Sequence, residues 1–203
     1  MKIYKQTTKF TCGPASILMI LNHCFPKKFS LTRKNEIRFW KEAVRSPLRG
    51  TSTFALASIL KKEGLKPKVY VGRIKYSSLC WKNKKDKITK TDVKVAAEVT
   101  EFYYRDALKD GIFIKKTSLK FEDIDKFLPK SDFIILRVNL AILKKGKNNT
   151  THYIVISEKK ESKYHVYDPY LGESWLKKDR LKKAFETTES LCGEDRRALL
   201  IKR

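Results

Sequence analysis

The chain has 203 residues, 41% of them hydrophobic, and carries 46 Lys and Arg against 22 Asp and Glu for a net charge of +24. That content supports a buried core and excludes a disordered polymer, and the length suits one domain over 1–203. No apolar run approaches the ~20 residues of a membrane span, and Met1 to Gln6 lack the apolar stretch of a signal peptide. The sequence therefore predicts a cytoplasmic protein, with a non-Sec export route still open.

The first predicted element begins at Cys12, in the run Cys12-Gly13-Pro14-Ala15-Ser16. Proline is favoured in the first turn of a helix, where its missing N–H costs nothing. Ala15, Leu18, Met19 and Asn22 follow at helical spacing. A thiol at that position lies in the field of a helix N-terminus, about half a positive charge, which favours the nucleophilic thiolate. Gln6 lies six residues upstream, close enough for its amide to donate to an oxyanion beside the thiol. A short helix over 35–44 comes next, ended by Ser46-Pro47. Ser52 is placed to cap a helix over 53–63, which Gly64 closes. A strand follows over 68–74, then a lysine-rich loop over 77–90 holding Trp81. The longest helical pattern covers 92–109, with Gly111 beyond its end. A strand over 112–114, a helix over 121–128 stopped by Pro129, and an apolar strand over 133–138 complete the middle of the chain.

A nucleophilic cysteine needs a base, and the base an orienting acceptor. His152 opens an apolar strand, residues 158–163 read as a turn, and a second strand over 164–167 ends at Asp168-Pro169. A hairpin centred on Lys160 and Glu161 puts His152 opposite Asp168 or its neighbour, with facing Cβ atoms roughly 4.5–5.5 Å apart. A one-residue slip would move one of the two to the other face. His165 lies at an odd offset from Asp168 and is expected on the opposite face. Tyr153 and Tyr167 are expected to point away from the thiol. His23 and Cys24 are adjacent on one helix and do not face each other, so both read as structural. Cys12, Cys24, Cys80 and Cys192 show no metal-ligand spacing, and the sequence predicts neither metal nor cofactor. A helix over 178–185 and a strand over 198–201 close the chain.

These motifs resemble the bacteriocin-processing, double-glycine-type cysteine peptidases and their stand-alone relatives within the papain-like superfamily. Gln6, Cys12 to Ser16, Met19, His152-Tyr153 and Asp168-Pro169 with Gly172 carry the resemblance. Gly50-Thr51-Ser52, Gly64 and Asp195 to Ala198 echo it more weakly. Residues from about 69 to 120 carry none of these motifs and read as an elaboration. The resemblance implies Cys12 as nucleophile, His152 as base, Asp168 as orienting acid and Gln6 as oxyanion donor. It also implies a papain-like fold. The order of elements, helices first and then mostly strands, independently suggests an α+β fold with a helical half packed on an antiparallel sheet.

The expected activity is hydrolysis of a peptide or amide bond in a peptide or protein substrate, through a thioester on Cys12. Two other readings stay open. An amine acceptor in place of water would make the same thioester the intermediate of a transpeptidase or acyltransferase. A silent triad would leave a binding module whose basic face attracts anionic partners. Residues 1–101 hold 23 of the basic and 7 of the acidic side chains, so that face is expected mainly in the first half.

Overall fold

The computed structural model describes residues 1–74, 88–146, 149–191 and 195–203. The first helix, α1 (Cys12–Cys24), is apolar all round, and every residue from Gly13 to Leu21 is buried. Such a helix belongs in the middle of a core. Helix α2 (Arg33–Ala43) is amphipathic; Thr32 caps it by accepting from the Asn35 N–H, and it buries Glu36, Phe39 and Ala43. A bridge between Val44 and Thr51 closes the loop before α3 (Thr53–Lys62). Ser52 precedes α3, but its hydroxyl makes no capping bond and is buried without a partner among the described residues. The expected serine cap is therefore not formed. Gly64 adopts a φ of +88° and turns the chain out of α3.

Strand β1 (Lys66–Val71) alternates exposed and buried side chains. Helix α4 (Lys90–Lys109) begins with a reciprocal capping box between Thr89 and Asp92. Gly111, at φ +67°, leads from α4 into β2 (Phe113–Lys116). Helix α5 (Phe121–Phe127), strand β3 (Phe133–Asn139) and a short helix α6 (Leu140–Lys144) follow. Strands β4 (Thr151–Lys160), β5 (Lys163–Asp168) and β6 (Gly172–Lys177) form consecutive hairpins, and α7 (Lys178–Glu186) leads to β7 (Arg197–Lys202). Most of the lysine-rich loop with Trp81, together with Cys80 and Cys192, lies outside the described residues. No described helix is long and apolar enough to cross a membrane.

The seven strands among the described residues form one sheet in the order β2-β1-β7-β3-β4-β5-β6, antiparallel throughout except for β1 with β2. Alternation along the strands divides the core in two. Ile135, Tyr153, Val155, Tyr167 and Leu199 join α1–α4 on one face. Ile134, Leu136, Ile154, Ile156, Val166 and Leu200 pack on the other with α5, α6 and α7. Strand β3 is buried at all seven positions because both faces are covered, which accounts for its unbroken apolar run. The outer side of α2 gathers Arg33, Lys34, Arg38 and Lys41 around Ile37, a cationic surface in the first half of the chain.

Candidate active site

The site forms where the start of α1 meets the end of β4. Gly13 makes that approach physically feasible. A Cβ there would lie 2.6 Å from Thr51 Oγ1 and 2.8 Å from Leu56 Cδ1, so only glycine lets α1 begin this close to α3 and β4. Cys12 is half-buried, and its sulfur accepts hydrogen bonds from the backbone N–H groups of Tyr153 and Gly13. The same sulfur is hydrogen-bonded to the His152 ring.

His152 is 3% exposed, and its Nε2 lies 2.7 Å from Asp168 Oδ1. The ring's other nitrogen, Nδ1, is therefore the one that meets the thiol. The route by which Asp168 reaches His152 differs from a simple facing pair. The turn between β4 and β5 is Glu161-Ser162, with Glu161 at φ +51°, and Lys160 pairs with Lys163. A bulge between Ile156 and Glu158 then shifts the register, so that Ile156 pairs with Val166 and Val155 with Tyr167. Continuing that register sets Asp168 beside Ile154, two residues from His152 and on the same face. Without the bulge Asp168 would fall in phase with Val155 and Tyr153, on the wrong face. The pairing stops at Val155, and the Tyr153 N–H beyond it is the donor that reaches Cys12.

Asp168 is itself held by the turn that follows it. Its Oδ1 accepts from the Tyr170 N–H at 2.7 Å and the Leu171 N–H at 3.0 Å. Gly172, at φ +102°, closes that turn and pairs with Asp168 as β6 begins.

Electrostatics couple the three groups. Burial pushes the Cys12 thiol up, but the hydrogen bond and positive charge of His152, with the two backbone donors, outweigh burial and hold it below its usual range. Burial alone would favour a neutral His152. The hydrogen bond to Asp168, then the bond and charge of Cys12, outweigh it, and the imidazole is raised. Thiolate and imidazolium therefore stabilise one another over the interval between the two displaced pKa values.

Gln6 is placed at the same end. Its backbone N–H donates to Pro169 O at 2.8 Å, directly after Asp168. Its side-chain Nε2 donates to Thr8 O at 2.6 Å, and its Oε1 is buried without a partner among the described residues. Thr11, the residue before α1, does not cap the helix with its side chain; its hydroxyl is turned to Glu36 instead. A cleft of about 550 Å³ opens at Cys12, with Phe10, Arg49, Thr51, Thr151 and Tyr153 in its walls.

Tyr153 corrects an expectation. Its ring lies beside Gly13 and lines the Cys12 cleft, and its hydroxyl is 2.7 Å from Thr53 Oγ1. It does not point away from the thiol, because α1 packs directly on its face of β4. His165 lies away from the site as expected, stacked on Trp175 at 4.7 Å with Nε2 2.8 Å from Glu173. His23 is exposed and rests its ring edge on Phe133, while Cys24 packs against the core. Among the described residues, no group of three or more His, Cys, Asp or Glu is arranged to hold a metal ion. Glu36 had no signal in the sequence: its partners Tyr4, Thr7 and Thr11 are distant along the chain and common residue types.

Three solved structures resemble the chain over nearly its whole length. A protein assigned as a C39-like peptidase from Bacillus anthracis is 10% identical, covering 100% of this chain and 94% of its own, with a TM-score of 0.52. A double glycine motif protease from an AMS/PCAT transporter, in complex with its leader peptide, is 14% identical over 99% and 90%, with a TM-score of 0.48. The peptidase domain of Streptococcus ComA, a bifunctional ABC transporter of a quorum-sensing pathway, is 15% identical over 98% and 96%, also at 0.48. The match at 0.52 shows the fold to be the α+β fold of a C39-like peptidase. No curated protein matches the sequence. The Peptidase_C39 like family model matches residues 1–189, which include Cys12, His152 and Asp168, and the chain belongs to that family.

Proposed function

We propose that the protein is a cysteine peptidase that cleaves a peptide or amide bond through a thioester on Cys12. The observation that carries this reading is the continuous chain from Cys12 through His152 to Asp168, with Nε2 on the acid and Nδ1 left for the thiol. In this reading the thiolate attacks the substrate carbonyl, and the oxyanion is met by the Cys12 N–H and the Gln6 amide. Gln6 has a second amide hydrogen beyond the one given to Thr8 O, and that hydrogen is the one required. The His152 imidazolium protonates the departing amine, then the neutral ring draws a proton from the water that hydrolyses the thioester. Asp168 holds the ring's tautomer and stabilises its charge. The open cleft beside Cys12 accommodates an extended peptide segment of a peptide or protein substrate.

The test is the pH dependence of Cys12 alkylation by iodoacetamide, with His152→Ala beside the wild type. An armed pair alkylates well below the ordinary thiol pKa of about 8.5, and loses that reactivity with His152. A slow, ordinary thiol indifferent to His152 would overturn the reading. Cleavage of a peptide library, abolished in Cys12→Ala, would then define the substrate.

A further inference from the structure

Glu36 is the most completely engaged carboxylate near the site, and nothing in the triad uses it. It is fully buried in α2. Its Oε1 accepts from the Thr7 N–H at 2.9 Å and from the Thr11 hydroxyl. Its Oε2 accepts from the Tyr4 hydroxyl at 2.9 Å and the Thr7 hydroxyl at 2.7 Å. All four donors belong to the segment that runs from Tyr4 to the residue before Cys12. Gln6 lies inside this clamp, between two residues tied to Glu36, and its own N–H is fixed to Pro169 O.

The clamp has a second consequence at the helix start. A threonine before a helix ordinarily turns its hydroxyl onto the free N–H groups of the first turn. Thr11 gives its hydroxyl to Glu36, and the Gly13 N–H, the one amide such a cap could reach because Pro14 has none, is left to the Cys12 sulfur. One buried carboxylate therefore ties down the chain on either side of Gln6 and the residue before Cys12.

We infer that Glu36 is a positioning residue for the oxyanion site, acting through Gln6 and Thr11 and not through the thiol–imidazole pair. The inference rests on the peptidase reading above. It predicts that Glu36 matters for reactions that pass through an oxyanion and not for those that do not. Alkylation by iodoacetamide is a displacement in which the Cys12 sulfur replaces iodide and no oxyanion forms. Acylation by p-nitrophenyl acetate is different. The sulfur adds to the acetyl carbonyl, the carbonyl oxygen carries the negative charge, and p-nitrophenolate leaves as the thioester forms. Iodoacetamide consumes each thiol once, the initial burst of p-nitrophenolate reports acylation alone, and neither probe needs knowledge of the natural substrate.

The experiment compares the two rates in wild type, Glu36→Met, Glu36→Gln, Gln6→Ala and the Glu36→Met/Gln6→Ala double variant. Loss of one oxyanion donor costs roughly 10²–10³-fold in enzymes acting on amides, and an activated ester registers a smaller part of it. The expected result is a fall of about ten-fold or more in acylation for Glu36→Met, with alkylation and its pH midpoint nearly unchanged. Glu36→Gln retains the shape and part of the hydrogen bonding and should recover part of the rate. Gln6→Ala should lose acylation similarly, and the double variant should lose little beyond either single one, because the two act through one group. Equal losses of acylation and alkylation in Glu36→Met would assign Glu36 a merely structural role, and multiplicative losses in the double variant would separate it from Gln6; either overturns the inference. A wild-type thiol that is unarmed towards iodoacetamide, at any pH below its ordinary range, would remove the peptidase reading and this inference with it.

Discussion

Asp168→Asn separates the orienting role of the acid from its charge. The Asp168 Oδ1 takes three hydrogen bonds, from His152 Nε2 at 2.7 Å, the Tyr170 N–H at 2.7 Å and the Leu171 N–H at 3.0 Å. An asparagine with its carbonyl oxygen in that position keeps all three acceptor contacts. Its NH₂ falls where Oδ2 now lies, a buried position without a partner among the described residues. The stability cost should therefore stay within about 1–3 kcal/mol, that of burying one amide group without hydrogen-bond partners. The charge is what changes. A hydrogen bond to an ionised group contributes about 1.5–3 kcal/mol and a neutral one about 0.5–1.5 kcal/mol, so the imidazolium loses roughly 1–1.5 kcal/mol of support. At about 1.36 kcal/mol per pH unit, that is about one unit. The sign follows from the coupling: Asp168 raises His152, and the His152 charge lowers Cys12. Removing the acid lowers the imidazole from its raised value of about 10 by about one unit, so the window for the thiolate–imidazolium pair narrows at its alkaline end, while the thiol still titrates beside a charged ring. In an NMR titration of the His152 ring, the midpoint should fall by about one unit while urea unfolding stays cooperative and the rising limb of iodoacetamide alkylation stays nearly in place. An unmoved imidazole midpoint in a folded variant would refute the reasoning and leave Asp168 only the job of holding its turn.

Gly13→Ala should destabilise the fold and slow alkylation together. Its added Cβ meets two buried groups below 3.0 Å; overpacking of about 1–3 kcal/mol outweighs a helix-propensity gain of at most about 1 kcal/mol, and urea midpoints will read the balance. Asp195→Asn removes the carboxylate that Arg137 and Arg197 share below 4% side-chain exposure, and should cost about 3–5 kcal/mol in unfolding free energy. Burial raises the Asp195 acid, but Arg197 and then Arg137 more than offset it and hold it below the usual carboxylate range. Its contribution is thus full above about pH 4 and lost as pH falls through the depressed value, so the acid limb of stability should flatten in the variant. His165→Ala should leave the alkylation profile of Cys12 intact and cost about 1 kcal/mol or less, the loss of a cross-strand contact with Trp175; a shifted profile would place His165 in the site.

The elements that were legible in the sequence are those whose burial is one-sided or total. Helix α1 declares itself through Pro14 and an apolar run, and β3 through seven consecutive buried positions. Strand β6 was missed because it is an edge strand whose residues are mostly exposed, so Gly172 to Lys177 carry no alternation. Helix α6 was missed because its four apolar residues, Leu140 to Leu143, are too short a run to show a helical period beyond the strand over 133–138; the break from β3 is made by Asn139, whose side chain accepts from the Ala141 N–H. The pairing of His152 with Asp168 shows a subtler limit. Period-2 counting from an assumed turn put His152 near Asp168, yet the real turn lies one residue later, and the bulge at Ser157 takes one residue back. A bulge is a local backbone choice with almost no side-chain signature here, so the face that Asp168 occupies could be anticipated from the motif and not computed from the hairpin. The same holds for Glu36. A carboxylate in an amphipathic helix reads as a solvated residue until the fold brings Tyr4, Thr7 and Thr11 around it. The residues of the proposed triad are legible because their chemistry restricts their type, whereas Glu36, proposed to position their surroundings, is an ordinary type made special by distant partners.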